Sequence, residues 1–70
     1  MTKVGQIYKQ PNNEIFVVTF IDKESNVHLV YKDGYTASYR ADVFNPFSFD
    51  KLIAEYPTWQ EAVNSKEFKE

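Results

Sequence analysis

The 70-residue chain contains no cysteine, only two glycines and a single histidine. Without cysteine it forms no disulfide and offers no thiolate ligand to a metal. Two glycines, Gly5 and Gly34, are too few for the known glycine-rich loops that hold phosphate groups. One histidine without cysteine is too few for the common zinc sites. We therefore expect neither a metal nor a cofactor.

Long hydrophobic runs are also missing. The longest strand-like run, Ile15 to Ile21, is far shorter than the ~20 apolar residues that a membrane-spanning helix needs. The first residues lack the apolar run of a signal peptide. We therefore expect no membrane partner and a cytoplasmic location. The net charge of −2 does not by itself indicate a nucleic-acid partner.

Apolar and aromatic residues are plentiful, at 43% and 17% of the chain. This composition, with so little net charge, is typical of a folded protein rather than a disordered one. Large aromatic side chains also bury much area in a small core. Chains of this length gain only a few kcal/mol of net stability from one core. We expect a single domain over residues 1–70, as a monomer or a weak homodimer.

Residues 14–40 predict three consecutive β-strands. Glu14–Asp22 has apolar side chains at both alternating sets of positions, which indicates a central strand covered on both faces. Val27–Lys32 and Tyr35–Arg40 alternate apolar with polar side chains. A short first strand, Val4–Lys9, precedes them. Strict alternation places Ile15, Val17 and Ile21 on one face of the central strand, and Phe16, Val18 and Phe20 on the other.

The loop between the last two strands decides which side chains share a face. A two-residue Asp33-Gly34 turn is the commonest form for this dipeptide, but it would mix apolar and polar side chains. A three-residue loop from Lys32 to Gly34 keeps the apolar set together, with glycine in the left-handed position. A one-residue shift would turn a whole strand over, so we predict the three-residue loop. It pairs Tyr31 with Tyr35, Leu29 with Ala37, and Val27 with Tyr39.

The C-terminal part predicts two short helices after an irregular corner at Ala41–Pro46. The second helix, about Trp59 to Lys66, starts at a capping box formed by Thr58 and Glu61. Helices this short are not stable alone, so both must pack on the second face of the central strand. The first helix is predicted from apolar residues at the spacing of one helical face, with Ser48 as its N-cap. That face comprises Phe49, Leu52, Ile53 and Tyr56.

These features predict an α+β domain. Its first part is a four-stranded antiparallel β-meander at about residues 3–44. Its second part is a C-terminal segment at about residues 48–68, whose two short helices pack on one face of the sheet.

No catalytic constellation is visible. The single histidine, His28, lies on the outward set of its strand, and no serine or acid stands at a spacing that marks a catalytic pair. The acids Asp22, Glu24 and Asp33 flank turns, where acids are common. We therefore predict a protein that is not an enzyme and has no catalytic residue.

The outward face of the last hairpin is the candidate binding surface. It is polar and mildly basic, so it is either a solvated sheet face or a binding face. A non-catalytic module that binds a protein partner is the first functional hypothesis. The alternative is a weak nucleic-acid-binding domain that uses this outer face through His28, Lys32 and Arg40, together with the tyrosines. Tyr31, Tyr35 and Tyr39 would then form a stacking platform, although their alternation with aliphatic residues favours the core instead. The candidate binding residues are His28, Lys32, Thr36, Ser38 and Arg40.

The opening VGQIY, the following strand and polar turn, and VHLVYKDGY together resemble small SH3-like or Tudor-like β-barrels. The resemblance covers roughly residues 3–44 and rests on strand order and turn spacing. It implies a strongly curved sheet. The tail EYPTWQEAVNSKEFKE is similar to the tails of short uncharacterised proteins from Gram-positive bacteria, their phages and other mobile elements. That second similarity implies no activity.

Overall fold

The computed structural model describes residues 2–40 and 50–69. They form a five-stranded antiparallel sheet and two short helices. The sheet order β4-β3-β2-β1-β5 leaves β4 and β5 at the edges of an open sheet. The predicted α+β class and antiparallel meander are confirmed. The strands are β1 (Gln6–Lys9), β2 (Ile15–Ile21), β3 (Asn26–Tyr31), β4 (Thr36–Arg40) and β5 (Lys51–Glu55), and the helices are α1 (Trp59–Val63) and α2 (Lys66–Lys69).

The first of the two predicted helices is wrong, because Lys51–Glu55 is the fifth strand and pairs antiparallel with β1. A bulge in this pairing makes Ile53 the extra residue, so that Ile53 and its neighbour Ala54 both pack into the same apolar cluster. Adjacent apolar residues suit a helical face and a bulged strand equally well. Pairing with β1 satisfies a whole row of backbone groups, which a helix of one or two turns does not.

The second predicted helix begins where the capping box places it, but it is divided. Thr58 Oγ1 accepts a hydrogen bond of 3.2 Å from the Glu61 N–H. The helix ends at Val63, and α2 follows after Ser65. The predicted corner at 41–46, and residues 48 and 49 of the predicted first helix, lie outside the described residues. In the described part, neither helix has the length and apolar character needed to cross a membrane.

The predicted three-residue loop between β3 and β4 is confirmed. The Gly34 N–H donates to the Tyr31 carbonyl at 2.9 Å, and the Tyr31 N–H donates to the Tyr35 carbonyl at 2.7 Å. Gly34 has φ +94°, the conformation that glycine adopts without steric cost. Leu29 lies opposite Ala37, and Val27 lies opposite Tyr39, as the alternation predicts.

A bulge at Thr19 changes the faces of the central strand. Thr19 has no partner of its own in the β2–β3 register. The extra residue moves Phe20 onto the face of Val17, while Ile21 packs with the cluster around Phe16. The strict alternation predicted for Phe20 and Ile21 is therefore wrong. The Cα partners on either side of the bulge are Val18 with Leu29, and Phe20 with His28.

The sheet has an apolar cluster on each face. We call one side the tyrosine face; its buried residues are Tyr8, Phe16, Val18, Val27 and Leu29. We call the other side the helix face; there Ile7 and Val17 are covered by Ala62 of α1 and Phe68 of α2. The prediction that a C-terminal helix packs on the second face of the central strand is confirmed for α1, which begins at the predicted start of the second helix. The helix α2, which was not predicted, packs on the same face.

The tyrosines that alternation assigns to the core are only partly covered. Tyr31 packs against the buried cluster of the tyrosine face. Tyr35 is 65% exposed and Tyr39 is 43% exposed, so the core interpretation is wrong for these two. The reason is their position: β4 is an edge strand, and the buried cluster ends at Val27 and Leu29 of β3.

Gly5 lies in close backbone contact with two other segments of the chain. Its N–H donates to the Val18 carbonyl at 2.9 Å, and its carbonyl accepts from the Tyr56 N–H at 3.0 Å. Its φ is +95°, and a Cβ placed on it would lie 2.1 Å from the Tyr56 carbonyl oxygen. A methyl group therefore cannot fit unless the chain after β5 moves away.

We expect Gly5→Ala to destabilise the protein far more than Gly34→Ala. Both positions have positive φ, but a Cβ at Gly34 meets nothing within 4 Å. Gly34→Ala then carries only the backbone strain, about 1–2 kcal/mol. Gly5→Ala adds a backbone clash and is expected to cost about 3–5 kcal/mol, enough to unfold much of so small a domain. Urea unfolding followed by circular dichroism measures both; equal losses would contradict the role of Gly5.

Candidate functional site

The helices cover only part of the helix face and leave an open groove beside them. The groove lies between α1 and the outer strands and has a volume of about 570 Å³. This volume lies within the ~300–1,000 Å³ that ligand sites commonly have. Its lining residues are Thr19, Phe20, Val30, Tyr31, Lys32, Gly34, Thr36, Trp59, Val63 and Phe68.

Two exposed aromatic rings are the main apolar groups of the groove. Phe20 is 56% exposed and Trp59 is 38% exposed. Phe20 lies on this face because of the bulge at Thr19, and Trp59 is the first residue of α1, directly after the N-cap Thr58. Val30 of β3 lies between the core and the groove. The rings are therefore held by secondary structure and not by a loop.

A side-chain hydrogen bond joins α2 to the end of β5. The Tyr56 hydroxyl donates to a carboxylate oxygen of Glu67 in α2. This bond raises the pKa of Tyr56 and lowers the pKa of Glu67. It joins the end of β5 to the helix whose Phe68 lines the groove.

Four of the five candidate binding residues adjoin the groove. Lys32 and Thr36 line it directly. A smaller depression of about 390 Å³ adjoins it and is lined in part by His28, Thr36 and Ser38. Arg40 is at the far end of β4, opposite Asn26, and lines neither depression. Phe20 and Thr36 border both depressions, so they form one continuous surface.

Phe20 and Trp59 were not predicted as surface groups. Strict alternation places Phe20 on the opposite face, and Trp59 was predicted only as the start of a helix that packs on the sheet. Trp59 does carry a usable signal. It occupies the first helical position after Thr58, and side chains there lie at the end of a helix rather than over its centre.

His28 has an acidic neighbour, Asp22, that was not predicted from the sequence. Its Nε2 lies 3.3 Å from Asp22 Oδ2 across the β2–β3 loop, and its ring lies 5.5 Å from that of Phe20. Within the described residues, no hydrogen bond joins the ring to Ser38, its cross-strand neighbour. Ser38 is therefore not aligned as a hydroxyl nucleophile for the His28–Asp22 pair.

Asp22 organises the β2–β3 loop. Its Oδ1 accepts hydrogen bonds from the N–H groups of Glu24 and Asn26, both at 2.9 Å, and Oδ2 accepts from Asn26 Nδ2 at 3.1 Å. These bonds, chiefly that from the Asn26 backbone, lower the pKa of Asp22 from 3.8 to about 2. The loop also holds Ser25 at φ +65°. The Asp22 carboxylate therefore holds the β2–β3 loop together rather than taking part in a reaction.

Lys32 is the single charged side chain among the groove's lining residues in the described part of the chain. Over the same residues, no group of three or more histidine, cysteine, aspartate or glutamate side chains lies close enough to hold a metal ion. Comparisons with models of protein families, with curated proteins and with solved structures found no match. The site is therefore a mainly apolar groove with one lysine in its lining.

We expect acid to remove the contribution of Asp22 to stability. The pKa of Asp22 in the folded state, about 2, lies below its ordinary value of 3.8. The contribution is therefore complete above about pH 4 and is lost as the pH falls towards about 2. Asp22→Asn has no charge to lose, so the difference in free energy of unfolding between the wild type and this variant narrows over that range.

Urea titrations at several pH values measure this difference. Asp33→Asn is a matched control, because the Asp33 carboxylate accepts one backbone hydrogen bond, from the Tyr35 N–H, in another loop. If the difference in free energy of unfolding between the wild type and Asp22→Asn did not change with pH, the Asp22 charge would not stabilise the loop.

Proposed function

We infer that this protein is a non-catalytic interaction module that binds a segment of a partner protein in the groove beside α1. The observation that carries this proposal is the exposure of Phe20 and Trp59 on one continuous apolar surface. Exposed apolar patches bordered by polar groups mark interaction sites. Aromatic residues are also the side chains that most often dominate protein interfaces.

The strand arrangement supports an SH3-like or Tudor-like module. The order β4-β3-β2-β1-β5 places the last strand beside the first, and the β1–β5 and β2–β3 pairings each contain a bulge. Bulges bend and twist a sheet, as the predicted curvature requires. A small module without cysteine suits the reducing conditions of the cytoplasm.

The groove favours a segment with one large apolar side chain. This side chain would pack against Phe20 and Trp59, which lose water-exposed area on contact.

Nucleic-acid binding has less support. Base stacking would use Tyr35 and Tyr39, whose side chains are on the tyrosine face of β4. The cationic residues Lys32 and Arg40 belong to the opposite side-chain set. One strand of nucleic acid would therefore have to cross the sheet edge to use both groups. The net charge of −2 also opposes association with a polyanion.

We expect peptides selected from a random display library against the folded protein to bind in this groove. The protein has a single tryptophan, Trp59, so a change in its fluorescence reports binding at the site itself. Phe20→Ser should weaken binding about tenfold or more, the effect of losing ~1.4 kcal/mol of contact energy. Circular dichroism would verify that this variant is folded.

Leu52→Ser is the matched control. Leu52 is an apolar side chain of similar exposure, 42%, but it lies on β5 at the other edge of the sheet. It should leave peptide binding unchanged. Equal binding by the wild type and Phe20→Ser would refute the groove. Salt-sensitive binding of oligonucleotides at about 50 mM salt, with no peptide selected, would favour the nucleic-acid alternative.

A further inference from the structure

The edge strand β4 presents hydrogen-bonding groups outwards. The Tyr35 carbonyl accepts from Tyr31 of β3, and Ala37 lies opposite Leu29 in the same register. Backbone groups alternate in direction along an antiparallel strand. The N–H and carbonyl groups of Thr36 and Ser38 therefore point away from β3, towards the edge of the sheet.

Within the described residues, β4 itself has few of the features that shield a sheet edge from pairing. Natural edge strands are usually shielded by proline, by bulges or by charged side chains in mid-strand. The register of β4 with β3 is regular, without a bulge. Its sequence, TASYR, contains no proline, and its one charge, Arg40, is at the end. The strand is thus built to accept a further strand.

We propose that β4 pairs antiparallel with β4 of a second copy, about a two-fold axis through Ala37. This register places Thr36 opposite Ser38 of the second copy, so that the outward backbone groups of each meet those of the other. It joins the two sheets into one. A two-fold arrangement of identical patches is also the commonest form of a homodimer.

The exposed tyrosines support this register. On the tyrosine face, Tyr35 lies opposite Tyr39 of the second copy, and the small Ala37 faces its own equivalent on the axis. Tyr35 and Tyr39 are 65% and 43% exposed in one copy, so both would lose solvent contact. Aromatic pairs directly opposite each other on neighbouring strands stabilise a sheet.

The other side chains are also complementary in this register. On the helix face, the hydroxyl groups of Thr36 and Ser38 meet, a pairing that stabilises neighbouring strands. This match occurs twice because of the symmetry.

A second copy is favoured over a foreign strand because one register satisfies both the outward backbone groups and the exposed tyrosines. The contact is small, since β4 has five residues. Stable interfaces usually bury more than about 1,200 Å², so the dimer is weak. Phe20 and Trp59 lie outside this contact, although Gly34 and Thr36 of the groove's lining belong to it. The two proposals can fail separately, because Phe20→Ser tests the groove and Tyr35→Lys tests the contact.

Introduced cysteines test the register, because the natural chain has none. In the proposed dimer the two Ala37 Cα atoms form a non-hydrogen-bonded pair about 4.5 Å apart, within the ~4.4–6.8 Å that a disulfide spans. Ala37→Cys should therefore cross-link under mild oxidation about tenfold faster than Ser38→Cys or Tyr35→Cys, whose equivalent positions are more than about 7 Å apart.

Sedimentation equilibrium of the wild-type protein gives an independent measurement. We expect its mean mass to rise from monomer towards dimer between about 10 μM and 1 mM protein, and Tyr35→Lys to abolish the rise. A wild type that stays monomeric over this range would overturn the proposal. Faster cross-linking of Ser38→Cys than of Ala37→Cys would overturn the register and the tyrosine pairing with it.

Discussion

The backbone contact at Gly5 is the constraint on which this small protein depends. Its N–H and carbonyl groups join the start of β1 to β2 on one side and to the chain after β5 on the other. The approach to Tyr56 is so close that only glycine fits. Because α1 begins three residues after Tyr56, this contact also determines where the helices meet the sheet.

The bulge at Thr19 determines what the helices leave uncovered. Without the extra residue, Phe20 would lie on the tyrosine face, and the groove would lose one of its two exposed rings. The Thr19 hydroxyl donates to the His28 carbonyl at 3.2 Å, which fixes the irregularity from the partner strand. Two backbone irregularities, at Gly5 and Thr19, thus place Trp59 and Phe20 at one surface.

Features encoded by neighbouring residues could be predicted from the sequence. Gly34 and the flanking alternation specify the β3–β4 loop, and Thr58 with Glu61 specifies the start of α1. Features that depend on distant partners could not. The bulge at Thr19 has no local signal, and the helical spacing at Leu52 and Ile53 also fits a bulged strand. The groove was not predicted for the same reason. The bulge at Thr19 places Phe20 in it, and the course of the chain through β5 places α1 and Trp59 beside it.

The same geometry explains why an edge and a groove coexist in so small a chain. The two short helices share one apolar cluster with β5, β1, β2 and Val30 of β3, and they extend no further. Beyond this cluster, apolar groups stay exposed on both faces, with Phe20 near the end of β2 on one and Tyr35 just before β4 on the other. Burying such area is favourable for any protein. Since this chain is too short to cover it, a partner segment in the groove and a second copy at β4 are complementary ways of doing so.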